Sequence, residues 1–387
     1  MNIEPIEQAI WIAVGTLTAI QLLYSLVMYN APHRRWAKEK KNELPQSEKC
    51  PGMSVIIASS NHEEQLAKHL PRILEQDYPD FEVIVVDDFS TDETKALLER
   101  FCKQYPNLYT TYTSDSIRYI SHKKLALMLG IKAAKKEWIV FIEPDCYPVS
   151  NQWLVQLARQ CTEQTDVVLG YSNYEHKKGF ANLCHVFDTL QQQMRMLGLT
   201  LLKKGYMGIG RNMAYRREIF FSNKGYSRHL DLERGEDDLF INEHVPANRI
   251  AASISADSAV RCSSSNGYTW QNDKLCRLFL RRKMKGAALH ILSTDTLTRA
   301  LLYVATILGL TFSIMHHWWI SVGIVSALWF IHIGARILVF RRFAHDMEER
   351  RYGLSILLLD IIHPCWELYF RLRLRLMPKT MHMRRQV

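Results

Sequence analysis

Acidic residues stand in pairs where apolar runs end. Phe81 to Val86 leads into Asp87 and Asp88, and Trp138 to Ile142 leads into Glu143, Pro144 and Asp145. A third run, Met53 to Ala58, ends in the polar residues Ser59 and Asn61. A carboxylate in such a place can accept a hydrogen bond from a nucleobase N–H. Two carboxylates two residues apart can share one cation if the chain turns between them, and Pro144 favours a turn. Mg²⁺ and Mn²⁺ take carboxylate oxygens together with substrate phosphates. The plainer reading of Asp87 and Asp88 is that they cap a turn, with Ser90 and Thr91 opening the next helix; both readings fit the sequence.

The elements that would hold these residues alternate. Apolar runs at 53–58, 81–86 and 138–142 read as strands, with helical stretches at 63–75, 91–104 and 123–135. Near-continuous apolar strands separated by helices predict an α/β domain with a buried, parallel sheet. In such sheets ligands sit beyond the carboxyl ends of the strands, where the polar clusters lie. Gly208-Ile209-Gly210 lacks the third glycine of a dinucleotide fingerprint and there is no P-loop, so neither of those readings applies.

The chain has 387 residues, enough for two ordinary domains. With 48% hydrophobic and 23% charged residues it is neither disordered nor collagen-like. A mean hydropathy of −0.15 is too polar for a polytopic transporter. The formal charge of +10 asks for an acidic partner: nucleic acid, anionic lipid or a phosphorylated substrate. The eight cysteines are scattered without C-x-x-C or zinc-finger spacing, so no disulfide framework is expected and a reducing compartment is.

The apolar residues are unevenly spread. Ala9–Tyr29 carries no charge and matches the length of a membrane-crossing helix. Acidic Glu4 and Glu7 precede it, unlike a signal peptide. The basic residues from His33 to Lys41 follow and mark that side as cytoplasmic. Leu297–Met315 and Trp318–Val339, separated by little more than His316 and His317, read as a hairpin of membrane helices. Gly353–Phe370 carries Asp360, His363, Pro364 and Glu367 between basic flanks, and is read as a helix lying in the headgroup region. The run Arg277, Arg281, Arg282, Lys283, Lys285 has helical spacing and reads either as a solvated face or, just before a membrane helix, as a surface resting on anionic headgroups. Because the basic excess collects beside apolar segments, membrane lipids are the expected partner and nucleic acid is not. The expected organisation is an N-terminal transmembrane helix (1–30), a basic linker (31–50), the α/β domain (51–265), a basic amphipathic interfacial region (266–296), a transmembrane hairpin (297–340), and an interfacial helix with a basic tail (341–387). The domain would face the cytoplasm from the cytoplasmic membrane. Nothing in the sequence specifies an oligomeric state.

Four motifs, in order over roughly residues 51–280, carry a resemblance. Val85 to Thr94, Ser121 to Leu127 with Glu137 to Cys146, Gly208 to Arg217, and Gly235 to Leu239 resemble the signatures of membrane-bound family 2 inverting glycosyltransferases. The resemblance is to poly-N-acetylglucosamine, hyaluronan and cellulose synthase-type enzymes. It implies a GT-A fold, a Rossmann-like nucleotide-sugar-binding α/β domain with flanking transmembrane helices. It also implies roles. Asp88 or Asp87, with Ser59 and Asn61, would bind the nucleotide of a nucleotide-sugar donor. Asp145, helped by Glu143, would hold Mg²⁺ or Mn²⁺ on the diphosphate, and Lys124 and Arg277 would assist the phosphates. Gly208, Gly210 and Asn212 would form the acceptor side, and Asp237, in the pair Glu236-Asp237, would take the proton from the acceptor hydroxyl. For Lys124 the plainer reading is a solvated lysine at a helix start.

The chain departs from the family pattern at three places. D-x-D is here Glu143-x-Asp145, Asn-Glu after the first strand is Asn61-His62, and Q-x-x-R-W keeps only Arg277 and the spacing. Losing that tryptophan removes an aromatic platform for an acceptor sugar, so a long growing polymer is not expected. The implied activity is hexosyl transfer from a nucleotide diphosphate sugar, expected to be UDP-linked, to a lipid-linked or glycan acceptor in cell-envelope polysaccharide or glycolipid synthesis. A processive polysaccharide synthase and a non-catalytic nucleotide-sugar- or lipid-binding scaffold are the alternatives.

Overall fold

A computed structural model of the chain describes residues 4–41, 50–113, 121–230, 232–263, 267–350, 352 and 355–377. Residues 42–49 of the expected linker, 353–354 and the tail from 378 lie outside the described residues. The chain opens with α1 (Pro5–Leu23), a π-helical turn (Tyr24–Tyr29) and α2 (Ala31–Lys40). The first half of the α/β domain then runs β1 (Met53–Ser59), α3 (Glu63–Leu74), β2 (Phe81–Asp87), α4 (Thr94–Gln104), β3 (Leu108–Tyr112), α5 (His122–Ala133) and β4 (Trp138–Phe141). Its second half comprises β5 (Cys146–Pro148), α6 (Trp153–Ala158), β6 (Val167–Gly170), β7 (Ser172–Tyr174), α7 (Phe180–Leu201), β8 (Met213–Arg216), α8 (Arg217–Ser222), α9 (Asp238–His244), β9 (Ile250–Ser253) and β10 (Val260–Cys262). Four helices close the chain: α10 (Gly267–Arg281), α11 (Ala287–Met315), α12 (Trp319–Asp346) and α13 (Ser355–Leu376).

The main sheet has the order β3-β2-β1-β4-β8-β6-β9. All neighbours pair parallel except at β8, which runs antiparallel to both β4 and β6. That single reversal puts the start of β8 on the same sheet edge as the ends of β1, β2 and β4. Val55, Ile56, Ile57, Val83 to Val86, Ile139 and Val140 are fully buried, as a two-sided sheet requires. Gly130 allows α5 to approach this core, because a Cβ there would stand 2.7 Å from Ile56.

Two expectations are corrected here. The helix expected from Thr91 begins at Thr94, because the preceding residues are held in the loop: the Thr91 N–H donates to Asn61 Oδ1 (2.8 Å) and Ser90 to Asp87. Cysteine pairing is not absent: Cys146 and Cys262 form a disulfide. They lie 116 positions apart in sequence but oppose each other in the antiparallel β5–β10 ladder, so only the second sheet's register brings them together.

Outside the sheet, α7 joins the domain to the apolar helices. A Cβ at Gly198 would sit 2.3 Å from the Met28 carbonyl, so glycine permits the crossing of α7 with the π-helical turn. Arg195 on α7 donates to the Tyr29 hydroxyl (2.8 Å) and to Asp295 on α11 (2.9 Å). Among the described residues three helices are long and apolar enough to cross a membrane: Pro5–Lys40, Ala287–Met315 and Trp319–Asp346. The last two extend the expected hairpin at both ends. Helix α13 is docked on protein, and its Asp360, His363 and Glu367 turn inward. Asp360 accepts from Arg336 Nε (2.8 Å) and Nη2 (2.5 Å) and from the Tyr303 hydroxyl (2.7 Å), with Arg299 at 3.4 Å; His363 faces Asp188 at 3.3 Å.

Candidate active site

A cavity of about 20 Å³ opens where the ends of β1 and β4 meet the start of β8 and the amino terminus of α9. Its polar wall is Lys123, Glu143, Gly210, Glu236 and Asp237. Lys123, at the start of α5, reaches both Glu143 (2.9 Å) and Glu236 (3.0 Å). Asp237 is the N-cap of α9. Its Oδ1 accepts the Asp238 N–H and its Oδ2 the Gly210 N–H, each at 2.8 Å. Both oxygens are therefore oriented by backbone. Gly235, at φ +104, makes the preceding turn in a conformation that favours glycine.

Carboxylates crowd this edge, and their proton affinities diverge. Burial opposes the charge on Glu143, but Lys123 and Arg211 outweigh it and hold the carboxyl down at about 2. Burial and then the Glu143 charge push Asp145 up to about 7. Asp237 is raised by burial and by Glu236, whereas Lys123 outweighs burial at Glu236 and lowers it. Ligand atoms of Glu143, Asp145 and Cys146 lie within 4.8 Å of one another. Cys146 is in a disulfide and has no thiolate to give, which leaves two carboxylates. That donor set suits Mg²⁺ or Mn²⁺, which fill their remaining positions with phosphate and water oxygens.

Arg211 was not singled out in the sequence. The residue is 2% exposed, its guanidinium lies over the Tyr174 ring at 4.7 Å, and Nη1 and Nη2 have no hydrogen-bond partner among the described residues. Glu143 and Asp145 are among the charges that stabilise it. An unpartnered buried guanidinium beside two carboxylates suits an anion. Ser59 Oγ and Glu236 Oε2 are likewise buried without partners.

The other expected residues divide. Asp87 caps the turn at Ser90, the plainer of its two readings. Asp88 accepts from the Thr113 hydroxyl (2.7 Å) and faces His122 at 3.2 Å. Asn61, at φ 55, ties the loops after β1 and β2 together through Thr91 and Ser90. Lys124 is corrected: its ammonium is buried and donates to the carbonyls of His229 (2.6 Å), Leu232 (2.7 Å) and Arg234 (3.0 Å), pinning the loop before α9. Its neighbour Lys123 reaches the cavity instead. The pair was visible in the sequence, but only the phase of α5 decides which lysine turns toward the carboxylates. Asn212 is also corrected, since it is spent on Trp153 Nε1 (3.0 Å) and on the carbonyls of Tyr171 and Ser258. A Cβ at Gly208 would collide with Met213, so that glycine serves packing, while Gly210 contributes its N–H to Asp237. Arg277 lines a separate cavity with Asp238.

This sheet, with one reversed strand and acidic residues along the edge it creates, is a GT-A-type α/β domain. A mannosyltransferase of Pyrobaculum calidifontis, solved in complex with GDP-Man and Mn²⁺, shares the fold at a TM-score of 0.50 and 18% identity, covering 91% of this chain and 99% of its own. Residues 54–221 match Glycosyl transferase family 2. The poly(ribitol-phosphate) beta-N-acetylglucosaminyltransferase TarS of Staphylococcus aureus is 26% identical over 210 residues, which cover 53% of this chain and 34% of TarS. The beta-monoglucosyldiacylglycerol synthase of Nostoc sp. is 31% identical over 140 residues, 36% of this chain and 28% of that protein. The chain thus matches about a third of the length of these two relatives.

Proposed function

We propose that the chain is a membrane-anchored inverting glycosyltransferase. It would transfer a sugar from a nucleotide diphosphate sugar, UDP-linked in our reading, to a lipid-linked or glycan acceptor of the cell envelope. The observation that carries this reading is Asp237, whose two oxygens are fixed by the Gly210 and Asp238 N–H groups in one cavity with Glu143 and Lys123. A fixed carboxylate whose proton affinity is raised suits a general base. It takes the proton of the acceptor hydroxyl as that oxygen attacks the anomeric carbon, and the bond to the diphosphate breaks on the opposite face. Asp88 would contact the nucleotide, and Arg211 would receive phosphate oxygens. Glu143 and Asp145 would hold Mg²⁺ or Mn²⁺, which when bound offsets the negative charge on the diphosphate. Lys123 keeps Glu143 ionised and therefore able to ligate.

Basic flanks after the first candidate span support a cytoplasmic domain at the cytoplasmic membrane, where a reporter fused to the carboxyl terminus should give a cytoplasmic signal. A single transfer, or a few, is preferred to processive synthesis because Leu278 stands where the synthases carry tryptophan. Nucleoside diphosphate release, measured over a panel of UDP- and GDP-sugars, tests the whole reading. One nucleotide should be preferred, and excess chelator should abolish turnover. No release from any donor would leave a binding scaffold as the answer.

A further inference from the structure

Asp237 and Asp238 face different cavities. The second is larger, about 100 Å³, and lies between α7, α10, α13 and the first turns of α11. Four cations line it: Arg195, Lys274, Arg277 and Arg281. Two of these are neutralised, Arg195 by Asp295 at 2.9 Å and Lys274 by Asp188 and Glu367. The cavity's other carboxylates are engaged as well: Asp273 with Arg234 (2.8 Å), and Glu367 also with Arg371 (3.1 Å). Burial together with Asp237 and Glu236 raises the proton affinity of Asp238 well above the ordinary aspartate range. Arg277 and Arg281, one helical turn apart on α10, have no carboxylate partner among the described residues. Arg277 hydrogen-bonds the Gln192 amide, and Arg281 is 3.4 Å from the Ser293 hydroxyl. Burial, with the neighbouring Arg195 and Arg371, lowers the proton affinity of Arg281.

The remaining wall, which also includes His185, Gln192, Tyr206 and His363, has an apolar part. Trp270, Leu278, Met284 and Leu292 line it, and Leu292 belongs to α11, the helix that forms the second candidate span. Two unneutralised arginines above an apolar wall at the foot of a membrane helix match an amphiphile with an anionic head. We infer that this cavity binds the phosphate-bearing headgroup of a lipid through Arg277 and Arg281, and that the acceptor hydroxyl is carried on that lipid past Asp238 to Asp237. The inference rests on the glycosyltransferase reading and narrows its acceptor to a lipid that bears a phosphate. Arginine forks suit phosphate oxygens, and partial burial strengthens the pairing.

The test uses the full chain in neutral detergent micelles with four probes: a polyprenyl phosphate, the polyprenol of the same length, phosphatidylglycerol and inorganic phosphate. Polyprenyl phosphate or phosphatidylglycerol should bind at least tenfold more tightly than the polyprenol, and their order identifies the lipid source. The double variant Arg277→Gln/Arg281→Gln should erase that preference, while Arg277→Lys/Arg281→Lys keeps most of it at an unchanged melting temperature. Equal binding of alcohol and phosphate, a preference that survives the glutamines, or inorganic phosphate binding as tightly as the lipid would each overturn the inference. Nucleoside diphosphate release from the same preparations separates the two claims. Release without lipid-phosphate preference removes only the lipid, whereas no release from any donor removes the glycosyltransferase reading itself.

Discussion

Two regions of this molecule bury charge, and they partner it differently. In the helical bundle charges pair side chain to side chain: Arg195 with Asp295, and Arg299 and Arg336 with Asp360. Asp360 is gripped by both ends of the Arg336 fork and by Tyr303, so the pairings link three helices. At the sheet edge carboxylates are in excess: Glu143, Asp145, Glu236 and Asp237 gather around Lys123 and Arg211. Here Lys123 serves Glu143 and Glu236, backbone N–H groups hold Asp237, and Arg211 Nη1 and Nη2 have no hydrogen-bond partner among the described residues. The bundle's ion pairs hold elements together. Both regions leave buried polar atoms without partners, but at the edge one of them, Glu236 Oε2, belongs to a residue that lines a cavity a ligand can use.

That contrast predicts which measurement each substitution should move. Asp237→Asn should lower transfer by roughly 10²–10⁴-fold, the scale of general-base catalysis, while donor affinity and melting temperature stay within a few-fold and a few degrees. Equal loss of donor binding and turnover would move Asp237 to the donor side. Asp360→Asn should do the reverse, since breaking a buried pair costs about 3–5 kcal/mol. The melting temperature in detergent should fall sharply, with donor affinity preserved in the folded fraction; an unchanged melting temperature would show that the bundle does not depend on this carboxylate. Arg211→Met should weaken donor binding about ten- to a hundredfold, from the roughly 1.5–3 kcal/mol of a charged hydrogen bond. A variant with wild-type donor affinity would make Arg211 a packing residue over Tyr174.

The smallest effect expected is a pH shift. Asp237 acts only when deprotonated, and its proton affinity is raised by burial and by Glu236. Transfer should therefore fall as pH drops through a value above the ordinary aspartate range. Glu236→Gln removes a negative neighbour, so the proton leaves Asp237 more readily and the acid limb should move to lower pH. Movement to higher pH, in a profile of kcat/KM, would contradict the coupling.

The sequence revealed what depends on continuous runs. Strands β1, β2 and β4 are buried on both faces and so read as unbroken apolar stretches. The four-residue strands β6, β8 and β9 carry too little pattern, and the antiparallel insertion of β8 is a matter of topology that no local run records. The same limit applies to the site. Glu143, Asp145, Glu236 and Asp237 were found because they sit in short motifs. Lys123 was passed over for Lys124, and Cys146–Cys262 was missed, because helix phase and strand register emerge only from packing.

The pairing of Asp360 with Arg299 and Arg336 also sets an order of assembly. A chain made from its amino terminus completes α11 and α12 before residue 360 exists. For that interval both guanidiniums lie in apolar helices without the carboxylate that later joins them, an arrangement that would be expensive in a membrane-spanning bundle. Docking of α13 is therefore the step that completes the bundle, and a chain ending before Ser355 would keep every candidate active-site residue and still lack it. Loss of the last helix would register as failed biogenesis rather than as failed chemistry.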